Sequence, residues 1–212
     1  MGKSSREGLS MSAAAFTVVV MNFALIGSLP RVFFEKGGRL NLRWWLTALP
    51  FFTAFAATVI SFAGVNTWLA PRLWRHGAIE TAGVALATAS VGFIMLTLGT
   101  HRRPVALWHQ DDDAPRHLVM HGAYARVRHP FYSAFLLALA GAFLASAQPM
   151  ALAAAAYGFV ALNVTAAREE RRLASSELGA AYRAYMARTG RFLPRPRRAV
   201  GVPDIPATEE RA

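Results

Sequence analysis

Two short polar stretches carry nearly all the residues of this 212-residue chain whose types and spacing suit chemistry. The first, HGAYARVRHPFY from His121 to Tyr132, packs two His, two Arg and two Tyr into twelve residues. Histidine is the residue type suited to proton transfer near neutral pH, and guanidinium groups suit phosphates or carboxylates. The second begins AREERR, with Glu169 and Glu170 between Arg168 and the pair Arg171 and Arg172. An anionic pair at the edge of a long apolar run needs a cation, because charge near hydrocarbon is costly. The neighbouring arginines are one source and a cationic ligand is another. A third grouping, Asp111-Asp112-Asp113 with His109, His117 and His121, lacks the spacing of a helical zinc motif or a calcium loop and reads as an acidic turn.

The elements that must position these stretches are membrane helices. No Asp, Glu, Lys or Arg occurs from Gly8 to Pro30, Trp44 to Pro71, Thr81 to His101, or His129 to Ala167. A crossing needs about 20 mostly apolar residues, so the first three blocks supply one each. The fourth is 39 residues long, and Gln148-Pro149 near its middle marks a tight turn between two crossings. An all-α polytopic membrane protein with about five transmembrane helices is therefore expected; a soluble helical bundle is the competing reading. The first block lacks a clear cleavage site and is expected to stay in the mature chain.

Charge sets the orientation. With five crossings, 19 of the 23 basic residues fall on the side of the C-terminus, leaving Lys3, Arg6, Arg72 and Arg75 outside. The positive-inside bias then puts the N-terminus out and the C-terminus in the cytoplasm. The basic face suits anionic membrane lipids. Despite a net charge of +11, no nucleic-acid signature accompanies it, so no nucleic-acid partner is expected. Trp44, Trp45, Trp68 and Trp74 read as interfacial anchors. With no cysteine, disulfides, thiolate metal sites and cysteine nucleophiles are excluded, and no metal site is expected. From Leu173 to Tyr185 the apolar residues Leu173, Leu178, Ala181, Tyr182 and Tyr185 share roughly one helical face, which predicts an amphipathic surface helix that Gly179 weakens or bends.

LVMHGAYARVRHPFYSAFLL resembles the signature of the isoprenylcysteine carboxyl methyltransferase family, a wider group that includes phospholipid N-methyltransferases and bacterial membrane thiol methyltransferases. Its pieces here are Leu118-Val119, Gly122, Tyr124, Arg128-His129-Pro130 and Tyr132, then Glu169-Glu170, Leu173, Leu178-Gly179, Tyr182, Tyr185 and Arg191 to Pro194. The match covers roughly residues 99–194, with Ala123 and Ala134 standing where Pro and Gly are usual. It divides the chain into three N-terminal helices (1–98), a methyltransferase-like core (99–194) and a disordered basic tail (195–212).

What the resemblance implies is an integral membrane enzyme that uses S-adenosyl-L-methionine and releases S-adenosyl-L-homocysteine. The cofactor pocket would be cytoplasmic, built from the third loop and the C-terminal helix, with a lipophilic or lipidated substrate entering from the bilayer. Carried over, Arg116, His117, Leu118, Val119, Gly122, Tyr124, His129, Pro130, Phe131 and Tyr132 would line the pocket, with Glu169 and Glu170 opposite. His129, Arg128 and Arg168 would be catalytic: an arginine to hold a carboxylate substrate, or His129 to take a proton from a thiol or amine. Carboxyl O-methylation of an isoprenylcysteine-type thioether or a related bacterial substrate is the leading activity. Phospholipid N-methylation, small-thiol S-methylation and a non-catalytic membrane partner are the alternatives. The Ala- and Arg-rich composition suggests a bacterial inner membrane.

Overall fold

The computed structural model describes residues 11–29, 33–34, 38–65, 77–100 and 118–195. These residues form six α-helices: α1 (Ala13–Ser28), α2 (Leu42–Phe62), α3 (Ala78–Thr100), α4 (Pro130–Ser146), α5 (Pro149–Ala174) and α6 (Gly179–Arg188). A 3-10 turn, Gly122–Ala125, precedes α4. Among the described residues there are no strands, only isolated bridges at Phe34–Leu40 and Val127–Gly190.

Three helices, α2, α3 and α5, are long and apolar enough to cross a membrane. The other two apolar helices, α1 and α4, have 16 and 17 residues, short of the about 20 that a full crossing needs. The five alternate in direction. The start of α1 meets the start of α3 through Ser12 and Glu80, whereas the end of α2 meets the α4–α5 turn through Ser61 Oγ and the Ser146 carbonyl at 2.8 Å. The turn lies where the breaker predicts. Ala147 adopts φ 55°, Gln148 is extended, and Pro149 opens α5 at a position where its missing N–H costs nothing.

Inside the bundle, polar atoms answer backbone needs. Pro50 sits within α2 and cannot donate to the Leu46 carbonyl four residues back. The Tyr157 hydroxyl of α5 donates to that carbonyl at 3.1 Å. Asn22 of α1 is almost fully buried, and its amide donates to the Ala87 carbonyl of α3 at 3.0 Å. Ser90 Oγ lies 3.2 Å from Asn22 Oδ1 and 2.8 Å from the Ala134 carbonyl, so its one proton is shared between α1 and α4. Ala134 is therefore inside the α3–α4 contact, and a methyl there faces protein rather than a lipid path.

Gly83 of α3 and Gly141 of α4 set the closest helix approach. A Cβ at Gly83 would stand 2.6 Å from the Ala145 nitrogen, and one at Gly141 would stand 2.8 Å from the Gly83 oxygen. Small residues at such crossings let backbones meet in a membrane. Gly141→Val should cost about 2 kcal/mol or more through overpacking, because only backbone could move aside. Thermal unfolding in detergent checks this; an unchanged melting temperature would mean that the two helices separate without loss.

Two expectations need correction. Trp44 does not sit exposed as an anchor: it is buried against Phe33 and Trp45, with ring centroids 4.7 and 4.9 Å apart. Trp45 remains exposed, and Trp68 and Trp74 lie outside the described residues. The amphipathic surface helix is interrupted at Ser175–Leu178, where Ser176 hydroxyl bonds replace helical ones. Only α6 follows; Tyr182 and Tyr185 are buried, while Ala181 is exposed.

Candidate functional site

Both polar stretches meet at one end of the bundle, where α4 begins and α5 ends. The approach to α4 is built by Gly122. Its φ of 60° suits glycine, and a Cβ there would overlap the Thr100 side chain at the end of α3. Thr100 Oγ1 accepts from the Ala123 backbone N–H at 3.3 Å, which ties the turn to α3. Ala123 is fully buried, so a small residue is what this contact holds.

The segment after α6 closes the site from the other side. Arg128 N–H donates to the Gly190 carbonyl at 2.9 Å and His129 N–H to the Arg191 carbonyl at 3.1 Å. Ser133 Oγ donates to the Phe192 carbonyl at 2.8 Å. Tyr185, buried on α6, donates its hydroxyl to the Tyr124 carbonyl at 2.7 Å. Residues 189–193 thus form a strap bound along the entry to α4.

Within this frame Glu170 is the hub, its side chain 8% exposed. Arg128 Nε donates to Glu170 Oε1 at 2.9 Å, and Arg191 grips both oxygens, at 3.1 Å from Nε and 2.5 Å from Nη2. Arg191 Nη1 also donates to Asn163 Oδ1 at 2.7 Å, two turns earlier on α5. Arg128 donates on to the carbonyls of Met186 and Thr189, so the same cation fastens α6 and the strap.

His129 stands between both carboxylates. Its Nδ1 lies 3.4 Å from Glu169 Oε2 and its Nε2 lies 3.3 Å from Glu170 Oε1. Only the doubly protonated ring can donate to both. Burial pulls its pKa down, but hydrogen bonds and charge from Glu169 and Glu170 outweigh that, and the net shift is upward. The imidazole is thus placed to donate to both carboxylates. Its ring stacks parallel to Tyr132 with centroids 5.3 Å apart, and Tyr132 donates its hydroxyl to Glu169 at 2.7 Å. Glu169 keeps 24% side-chain exposure, three times that of Glu170.

Arg128, His129, Tyr132, Glu169 and Glu170 therefore converge at this end of the bundle. Tyr124 joins through its backbone, and burial pushes its hydroxyl pKa up. Pro130 and Phe131 are buried in the first turn of α4, where Phe131 packs into the core beside Phe135. Leu118 and Val119 are half-buried ahead of the 3-10 turn. Arg168 is exposed: two residues from Glu170 is about 200° around a helix, which turns it away from the cluster. Arg116, His117, His109 and Asp111-Asp112-Asp113 lie outside the described residues.

Sequence reasoning missed the clamp of Arg191 and Asn163. Arg191 carried a signal in the R-x-x-P element, while Asn163 showed only as an amide near the end of an apolar helix. No family model matches this sequence, and neither a curated protein nor a solved structure matches it.

Proposed function

We propose that the chain is an integral membrane methyltransferase that uses S-adenosyl-L-methionine and acts on a lipophilic substrate. In this reading five helices cross the bilayer, N-terminus out, and the site lies on the cytoplasmic face. One observation carries it: segments about forty residues apart in sequence, Arg128 to Tyr132 and Glu169-Glu170, meet in one charge cluster that Arg191 completes. The same bundle end gathers the strap and α6.

The donor set fits such a cofactor. Glu169 is the partly exposed carboxylate, and a ligand's ammonium would pair with it. The ring of Tyr132, whose hydroxyl bonds Glu169, offers an aromatic face, and such a face attracts a sulfonium as it does other cations. Glu170, already saturated by three cations, orients the site instead. When bound, the cofactor supplies an activated methyl group, so the protein's tasks are alignment and exclusion of water. His129 bridges both carboxylates and positions them, and in this reading it carries a proton at both nitrogens. A carboxylate substrate needs no base, which favours carboxyl O-methylation over thiol or amine methylation.

The test is detergent-purified protein with labelled cofactor, offered isoprenylated cysteine, a small thiol and phosphatidylethanolamine in turn. Label in the carboxyl ester is the expected result; transfer to thiol or amine would reassign the substrate. Calorimetry that detects no S-adenosyl-L-homocysteine binding would overturn the reading in favour of a non-catalytic membrane partner.

A further inference from the structure

After α6 the chain runs back along α5 rather than out from the bundle. Arg191 reaches Asn163, which is five positions before the first charge at Arg168. At 1.5 Å per residue that is roughly 7 Å toward the apolar part of the helix. The Phe192 ring sits between the site and the outer surface: it meets His129 edge-on at 6.2 Å and Phe159 at 6.4 Å. Phe159 is 53% exposed on the apolar side of α5, nine positions before Arg168 and roughly 13 Å along it. Next to Phe192, Leu193 is 79% exposed. Arg195 then turns back toward α6, donating to the Ala187 carbonyl at 2.7 Å.

An exposed leucine next to a half-buried phenylalanine, beside an exposed phenylalanine of an apolar helix, has a natural occupant in hydrocarbon. The cation between them would be costly there alone. Arg191 is instead matched on one side by the Glu170 carboxylate and the Asn163 amide, which makes the depth tolerable. Arg188 and Arg195, both exposed, flank the strap and suit the phosphates above it.

We propose that residues 191–193 form a second membrane contact, a strap dipped into the bilayer beside α5, with Leu193 among acyl chains, Phe192 packed between them and the site, and Arg188 and Arg195 at the headgroup phosphates. The strap then separates the charge cluster from the lipid. It rests on the membrane reading alone, so it stands or falls independently of methyl transfer.

The chain has no cysteine, so single probes can be placed on the otherwise unmodified protein. Nitroxide labels at Leu193→Cys, Phe159→Cys and Ser176→Cys, in phosphatidylcholine nanodiscs containing some phosphatidylglycerol, report collisions with oxygen and with a water-soluble nickel chelate. Ser176 lies in the exposed turn between α5 and α6 and marks the aqueous limit. The expected oxygen-to-nickel ratio at position 193 is severalfold above that at 176 and close to that at 159. A value at 193 equal to that at 176, with 159 still in lipid, overturns the strap. Aqueous values at both 193 and 159 overturn it together with the membrane placement of α5. Quenching of a fluorophore at 193 by lipids brominated along the acyl chain is the second measurement, and its absence argues against insertion.

Discussion

Glu170→Gln should unfold the end of the bundle that carries the charge cluster and remove the proposed activity together. The substitution keeps size and shape but deletes the anion that faces Arg128, His129 and Arg191. Three cationic groups would then share a site where the Arg128 and His129 side chains are 11% and 9% exposed. Removing one partner of a buried pair typically costs about 3–5 kcal/mol, because the remaining charge is left uncompensated. The strap is held by these same groups, so its docking should weaken first. The proposed methyl transfer should fall by a factor on the order of 10² or more, as for loss of a typical catalytic group. Arg191→Gln should cost less, since Glu170 keeps Arg128 and His129. The double variant should be less destabilised than the two single losses added, because the charges removed are opposite and in contact. Thermal unfolding in detergent with labelled transfer measures both effects. A Glu170→Gln protein that melts as the wild type does would show that the hub carries no stability.

How much of this was legible depended on whether a feature repeats along the chain or closes across it. The α4–α5 hairpin was legible because a 39-residue charge-free run is too long for one crossing, and Gln148-Pro149 near its middle offers the turn. The meeting of Arg128 and His129 with Glu169 and Glu170 was legible from motif order. The choice of arginine was not. Arg168 is nearer to Glu170 in sequence, yet helix phase turns it outward, and Arg191 arrives from a different segment. Nor could sequence tell which carboxylate is saturated: adjacent glutamates look equivalent until one meets three cations and the other a tyrosine hydroxyl. The first helix showed no motif, and the polar link it makes inside the bundle rests on a single residue, Asn22. Asn22 joins α3 in the apolar interior, where a lone amide is costly unless it finds a partner. Trp44 shows the limit of composition, since a tryptophan at a helix start suits either an interface or a cluster of rings, and Phe33 decides it.

His129 gives the clearest separation of two chemistries through pH. Its pKa is raised in the folded site above the ordinary value of about 6.5, since hydrogen bonds and charge from both glutamates outweigh burial. A raised histidine contributes stability fully below its unfolded pKa, and that contribution is lost as pH rises through the folded value. The wild-type melting temperature should therefore decline from neutral toward alkaline pH, and His129→Gln should flatten that decline while lowering the acid-side plateau. The tyrosines do not confuse this window: burial pushes Tyr185 up to about 12, and Tyr124 and Tyr182 are pushed up as well. Arg191 stays charged throughout, its pKa raised by the hydrogen bond to Glu170. The rate follows the same logic with opposite signs for the two roles. A base must be neutral to accept a proton, so transfer that depends on His129 as base should accelerate as pH rises. A cation that spans two carboxylates does its work only while protonated, so transfer should instead slow with rising pH, in step with the melting temperature. The protonated ring between Glu169 and Glu170 favours the second outcome. An activity that climbs with pH while stability falls would return His129 to the role of base and make a thiol or amine the substrate to seek.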